Sequence, residues 1–228
     1  MCFSATGSFA ISGVLTGMGA ASVARNRSKA HRMFAAIPLI FAAQQAAEGT
    51  VWLTMNGQRP VLHQVAVSAF LAAAFVIWPT WLSLSLRRFE PSPARRRILG
   101  ALFAAGCAVA VYAAVSMARF HPVARIAGHS IRYDGMTGGH ATHRGLDLAA
   151  YALPTIVPFF VSSLRMARTI GVMLIVSLVA SALIERDALT SVWCFFAAIL
   201  SGLILVALER EQRSTGVPAP ASPRASGA

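Results

Sequence analysis

Charge is scarce in this sequence. Only 12% of its 228 residues are charged, and 56% are hydrophobic. A soluble domain carries about 25% charged residues, and a water-soluble fold could not cover this much apolar material with polar surface. The shortage excludes a soluble globular enzyme, a disordered chain and a collagen-like fibre, and points to an integral membrane protein. The pattern is not that of a β-barrel, which needs short alternating strands rather than long unbroken apolar runs. No internal repeat is visible. The N-terminus lacks the basic n-region and small-residue cleavage site of a signal peptide, so the first apolar segment is expected to remain as an anchor. Cysteine is sparse, with three in the chain.

What is present is a series of apolar stretches. They run at 3–24, 33–55, 62–86, 98–118, 146–164, 169–184 and 188–208. Most have about 20 residues, the length that crosses a hydrocarbon core as a helix. Only helices satisfy the backbone of such segments in lipid. The expected fold is therefore an all-α bundle of seven transmembrane helices over 1–211. A Pro-, Ala-, Ser- and Gly-rich tail, 212–228, is expected to be disordered.

Basic residues orient the bundle. With the N-terminus outside, the inner loops hold Arg25, Arg27, Lys29 and Arg32, then Arg87, Arg88 and Arg95 to Arg97, then Arg165 and Arg168. The tail adds Arg210, Arg213 and Arg224, leaving 6 of the 20 Lys and Arg outside. By the positive-inside rule the C-terminus is then cytoplasmic. The net charge of +12 reads as topology determinants facing anionic lipid rather than as a nucleic-acid surface. The expected partners are the bilayer and, for an accessory role, another membrane protein or a second copy.

Polar residues inside apolar segments carry the functional information. Gln44, Gln45, Glu48 and Trp52 recur at spacings of three and four, so one helix face presents them together. They form either an interhelical hydrogen-bond clamp or a site for a proton, metal or substrate; an ionisable Glu48 favours the second. Other candidates fall on the same outer side. His63 opens the third segment. The loop 119–145 holds His121, His129, His140 and His143, and is long enough to act as a lid, with Gly135 to Gly139 as a hinge. Within it, His129 to Asp134 mixes apolar and polar residues, as a segment folded back onto the bundle does. His140, His143 and Asp147 have metal-ligand spacing on a helix start, though such residues are more often plain surface polarity. Glu48, His63 and His129 are the remote ligands, and Zn, Fe or Cu would suit the set. Glu48 and Asp147 are the candidate catalytic carboxylates. Gln45, Trp52, Cys2 and Cys194 are candidate cofactor contacts. Cys2 and Cys194 are open to three readings: a disulfide, inert thiols or thiolate ligands.

Other features read as structural. Gly13-x-x-x-Gly17 fits close helix packing. Pro79, Pro154 and Pro158 should kink their helices. Trp52, Tyr151 and Trp193 fit interfacial anchors. Cys107 reads as a small apolar residue.

The opening Met1-Cys2-Phe3-Ser4-Ala5, the Gln44-Gln45-x-x-Glu48-Gly49-x-Val51-Trp52 run, His129-x-Ile131-x-Tyr133 and Ser191-Val192-Trp193-Cys194-Phe195 resemble an uncharacterised group of bacterial multi-pass membrane proteins with an MCFSA N-terminus. The resemblance covers most of the chain. It implies a bacterial inner-membrane location and that Cys2, Gln45, Glu48, His129, Trp193 and Cys194 matter together. It implies no activity. A looser, architectural likeness is to seven-helix metal hydrolases of the alkaline ceramidase and adiponectin-receptor type, whose transmembrane histidine motifs have no convincing copy here. Three functions follow as expectations. First is a metal-dependent enzyme acting on lipid-like or small substrates from the outer leaflet. Second is a redox or proton-handling module binding haem or quinone. Third is a non-catalytic accessory or sensor subunit.

Overall fold

Ser4 starts the first helix as its cap, its hydroxyl accepting the Gly7 N–H at 3.2 Å, as short hydroxyl side chains do at helix starts. The structure, a computed structural model, describes residues 4–25, 29–136, 144–184, 193, 201 and 202. Six of the seven apolar segments fall largely within them. The seventh, 188–208, lies outside them apart from Trp193, Ser201 and Gly202, as does the 212–228 tail.

Helix α1 (Ala5–Arg25) is followed by α2 (Lys29–Ala35) and α3 (Ile37–Thr54). The expected single segment 33–55 is thus two helices. Pro38 in the first turn of α3 has no N–H to continue a preceding helix, so the chain breaks at Ala36. Pro60 then opens α4 (Pro60–Ala72), which passes through a π-helical turn at Ala73–Ile77 into α5 (Trp78–Phe89). Pro93 opens α6 (Pro93–Phe120). Beyond a two-stranded hairpin come α7 (Arg144–Val161) and α8 (Ala167–Ile184).

Among the described residues, three helical runs are long and apolar enough to cross a membrane: Ala5–Arg25, Pro60–Phe89 and Pro93–Phe120. Leu146–Val161 and Ala167–Leu183 are apolar but shorter. Helix α3 is not in either set, because Gln44, Gln45 and Glu48 interrupt its apolar run. The chain direction brings the C-terminal ends of α1, α5 and α7 to one end of the bundle, with the starts of α3, α6 and α8.

The hairpin corrects the all-α expectation. Within the predicted loop 119–145, strands β1 (Val123–Ala127) and β2 (Ser130–Asp134) pair antiparallel, with Ala127 opposite Ser130. Gly128 has φ +58° and His129 does not share a positive φ. That pattern is a two-residue turn whose first position needs glycine. The expected fold-back of 129–134 is borne out. Ile131 is fully buried among Val51, Val67, Phe70 and Leu71, and Tyr133 stacks on Phe70 with ring centroids 4.7 Å apart. Gln64 Nε2 donates to the Pro122 carbonyl at 3.3 Å. Arg125, Arg132 and Asp134 occupy the other face as an ion-paired group.

Helix packing uses glycine, but not the glycines expected. Among the described residues, a methyl group on Gly13 or Gly17 would meet nothing within 4 Å. The α1–α3 contact instead uses Gly19 against Leu39 and Gly49 under the Phe9 ring. Ser12 Oγ adds a bond to the Ala42 carbonyl at 2.8 Å.

The three interior prolines each forfeit a backbone donor, and neighbouring helices fill two of the resulting gaps. In the π-helical turn, Trp78 N–H turns back to the Ala73 carbonyl. The next donor in that pattern would be Pro79, which has no N–H. The orphaned Ala74 carbonyl accepts the Tyr151 hydroxyl from α7 at 2.8 Å. Pro158 likewise leaves the Pro154 carbonyl unserved, and Ser83 Oγ from α5 donates to it at 2.8 Å. Gly106 of α6 closes the junction. A Cβ there would overlap the Pro79 carbonyl and lie 3.3 Å from Pro154 Cβ.

Candidate functional site

The polar face of α3 is where its spacing predicts. Gln44, Gln45 and Glu48 are 1%, 0% and 0% exposed. They face the interior together, about two turns from the C-terminal end of α3 in the case of Glu48. Gln45 Nε2 lies 3.4 Å from Glu48 Oε2, a long donation. Gln44 Oε1 accepts the Trp78 indole N–H at 2.7 Å. That bond fixes the amide orientation, because an indole N–H only donates. The Gln44 Nε2 group, also buried, has no hydrogen-bond partner among the described residues. Trp52, at the end of the same face, is half-buried and packs beside Val51 and Met55.

Beside this face is a small aromatic chamber. Phe41 stacks on Trp78 at 4.0 Å. Tyr151 meets Trp193 edge-on at 5.6 Å. These four rings, with Leu82, Thr155 and Leu174, line a cavity of about 30 Å³. It has room for a water or two. Trp193 Nε1 donates to Ser177 Oγ at 3.2 Å, and Thr155 Oγ1 donates to the Tyr151 carbonyl at 2.7 Å. Tyr151 and Trp193 are each 8% exposed, so they wall the chamber rather than anchor at a lipid interface as expected. The polar and aromatic halves of the site share Trp78, whose ring lines the cavity and whose N–H holds Gln44.

The remaining candidates are dispersed. His63, half-buried on the first turn of α4, has Nδ1 2.9 Å from Thr54 Oγ1. The Thr54 hydroxyl is also 2.7 Å from the Thr50 carbonyl. It has one proton to give. If that proton goes to Thr50, His63 donates through Nδ1 and keeps Nε2 as an acceptor. His129 is exposed at the hairpin turn, and Asp147 is exposed on the first turn of α7. Among the described residues no three His, Cys, Asp or Glu side chains come together to hold a metal. Cys2, His140, His143 and Cys194 lie outside the described residues. Cys107 is a half-buried free thiol.

One charged residue has no part in the sequence-based expectations. Glu90, at the α5–α6 turn, is 3% exposed. It accepts the Ser163 N–H at 2.6 Å and the Ser92 N–H at 3.2 Å, and also the Ser163 hydroxyl. Arg95 Nη1 in turn donates to Ser163 Oγ at 2.9 Å. Burial works against the Glu90 charge, but the Ser163 hydroxyl and amide, the Ser92 amide and the Arg95 charge outweigh it and hold the carboxyl below its ordinary value. The turns α5–α6 and α7–α8 are thereby stapled. The sequence signal was an isolated acid in an arginine-rich turn.

No curated protein and no solved structure matches the chain. A family model does, over residues 1–220. It spans the Gln44-Gln45-x-x-Glu48 face, the hairpin and Trp193 alike, and the chain belongs to the family it describes, DUF6629, a family of unknown function.

Proposed function

We propose that the chain is a seven-span protein of the bacterial inner membrane, N-terminus outside and C-terminus cytoplasmic, in which Glu48 exchanges a proton at an enclosed polar site. The observation that carries this reading is the complete burial of an ionisable Glu48 beside Gln44 and Gln45 in an apolar bundle. A carboxylate taken out of water costs several kcal/mol unless its surroundings compensate. Such groups are kept in membrane helices for ion or proton chemistry. Gln44 adds a buried amide donor with no partner among the described residues, which suits a small acceptor. The chamber size favours a proton, water or small ion over a bulky cofactor. A metal-dependent enzyme is the second reading. The Thr54–His63 contact supports it, since metal-binding imidazoles are commonly oriented through their other nitrogen. His140, His143, Cys2 and Cys194 would then complete the ligand set.

Infrared difference spectra between acid and alkaline pH test the first reading on detergent-purified protein. A carboxyl band that disappears in Glu48→Gln supports it; a spectrum unchanged by that substitution overturns it. Mass-spectrometric metal analysis of the same sample tests the second. About one metal per chain, lost in His63→Ala, supports it, and metal-free protein sinks it.

A further inference from the structure

We infer that the inner end of the bundle is a built binding surface for an anionic phospholipid whose headgroup carries two phosphates. This inference rests on the membrane reading and is independent of Glu48.

Two sets of arginines meet there. Arg87 and Arg88 end α5, and Arg95, Arg96 and Arg97 fall in the first turns of α6, all exposed. Arg165 and Arg168 flank the start of α8, also exposed. The sets are far apart in sequence but adjacent in space, because Ser163 is bonded to both Glu90 and Arg95. The Arg87 side chain is held too, lying across Gly100 of α6.

Among the described residues no acid neutralises this surface. Glu90 is the one carboxylate in these turns, and it is buried with its oxygens turned to Ser92 and Ser163. The arrangement opposes local helix electrostatics. The first turn of α6 contains no acid, while Arg95 to Arg97 place like charge against the positive end of the helix dipole. Arg95 is used by the staple through Ser163, but Arg96 and Arg97 add only like charge at the positive end of the dipole, and an anion bridging them removes that penalty. The surface also sits at the right depth. Ile98, directly after Arg97, is 51% exposed, and Phe160, near the end of α7, is 38% exposed. Apolar side chains suited to acyl chains thus adjoin guanidinium groups suited to phosphate, and guanidinium binds phosphate with two parallel hydrogen bonds. Two arginine sets on two stapled turns match two phosphates on one lipid. Basic pockets between helix ends on the cytoplasmic side recognise such headgroups.

Native mass spectrometry of the full-length protein, titrated with diphosphatidylglycerol, tests this. Parallel titrations use phosphatidylglycerol, phosphatidylcholine and inorganic phosphate. The expected order is diphosphatidylglycerol tightest and phosphatidylcholine weakest. Arg96→Gln and Arg165→Gln spare the Glu90 staple and should each weaken diphosphatidylglycerol binding by roughly fivefold. Arg125→Gln, on the hairpin, should leave it unchanged. Equal binding of phosphatidylcholine, equal effect of inorganic phosphate, or undiminished binding in the Arg96→Gln/Arg165→Gln double variant would each overturn the assignment. The variants' thermal unfolding midpoints, measured without added lipid, separate loss of binding from loss of fold.

Discussion

Glu90 and Glu48 are both buried acids, but their surroundings differ. Glu90 is surrounded by donors from two turns and closes a joint. Its folded-state pKa lies below the unfolded value, so folding releases protons as the pH falls into the carboxylate range. The staple is therefore at full strength above the ordinary value of 4.5, and its contribution drains as pH falls through the lower folded value. Thermal unfolding in detergent should show a midpoint that declines below about pH 4.5 in the parent. In Glu90→Gln the midpoint should be lower at neutral pH, by about 1–3 kcal/mol of stability, with a flatter acid limb. Equal acid limbs in the two proteins would remove Glu90 from this role. Glu48 was legible from sequence because it interrupts an apolar run at helical spacing with two glutamines. Glu90 was not, because its partner Ser163 is 73 residues away and two serines after a helix carry no distinctive signal.

Among the elements, the contrast between glycines is the sharpest lesson. A GxxxG spacing predicts close packing, yet Gly13 and Gly17 face open space among the described residues. Gly106, in no motif, is pressed against the Pro79 backbone. Spacing shows which residues share a face, not which face meets a neighbour. Gly106→Ala should therefore destabilise the protein by about 1–3 kcal/mol or more, as overpacking against a backbone does. Gly13→Ala and Gly17→Ala should be neutral or slightly stabilising, since alanine is the better helix former. Unfolding midpoints of the three variants check the ranking, and an inert Gly106→Ala would refute the close approach. The hairpin was missed for a different reason. Its alternation of Ile131 and Tyr133 with Arg132, and a glycine at the turn, were present in the sequence. A strong helical prior from composition overrode a signal ten residues long. The prolines were read as kinks; their actual partners, Tyr151 and Ser83, come from other helices and leave no local trace.

For the whole molecule, the arginine distribution and the contacts give a consistent polarity. The Glu90 staple and the arginine-rich turns share one end, and the hairpin caps the other. If the first end is cytoplasmic, single cysteines placed in a background lacking the native three should label asymmetrically. A membrane-impermeant thiol reagent should modify Arg125→Cys in intact cells, and Arg96→Cys only after lysis. The reverse pattern would invert the topology and move the Glu48 face to the opposite leaflet. The apolar, helical character was the most accessible quantity in the sequence, because hydropathy needs no tertiary information, and three described helices are long and apolar enough to cross a membrane. The chamber was the least accessible, because Phe41, Trp78, Tyr151 and Trp193 come from four separate apolar segments and are individually unremarkable.

The π-helical turn at Ala73–Ile77 has one more implication. Such a turn holds one residue more than the α-helical turn it replaces, so it acts as a phase shifter in an otherwise continuous rod. Everything on its inner side is rotated by roughly 100° relative to a straight helix. That rotation is what points Trp78 at Gln44 and sets the Pro79 carbonyl against Gly106, while Phe70 and Leu71 stay under the hairpin. Deleting a single residue here would leave length, composition and hydropathy almost untouched. It would nonetheless turn the lower half of the rod away from both the polar face and the proline junction, so the geometry of the site depends on one supernumerary amino acid.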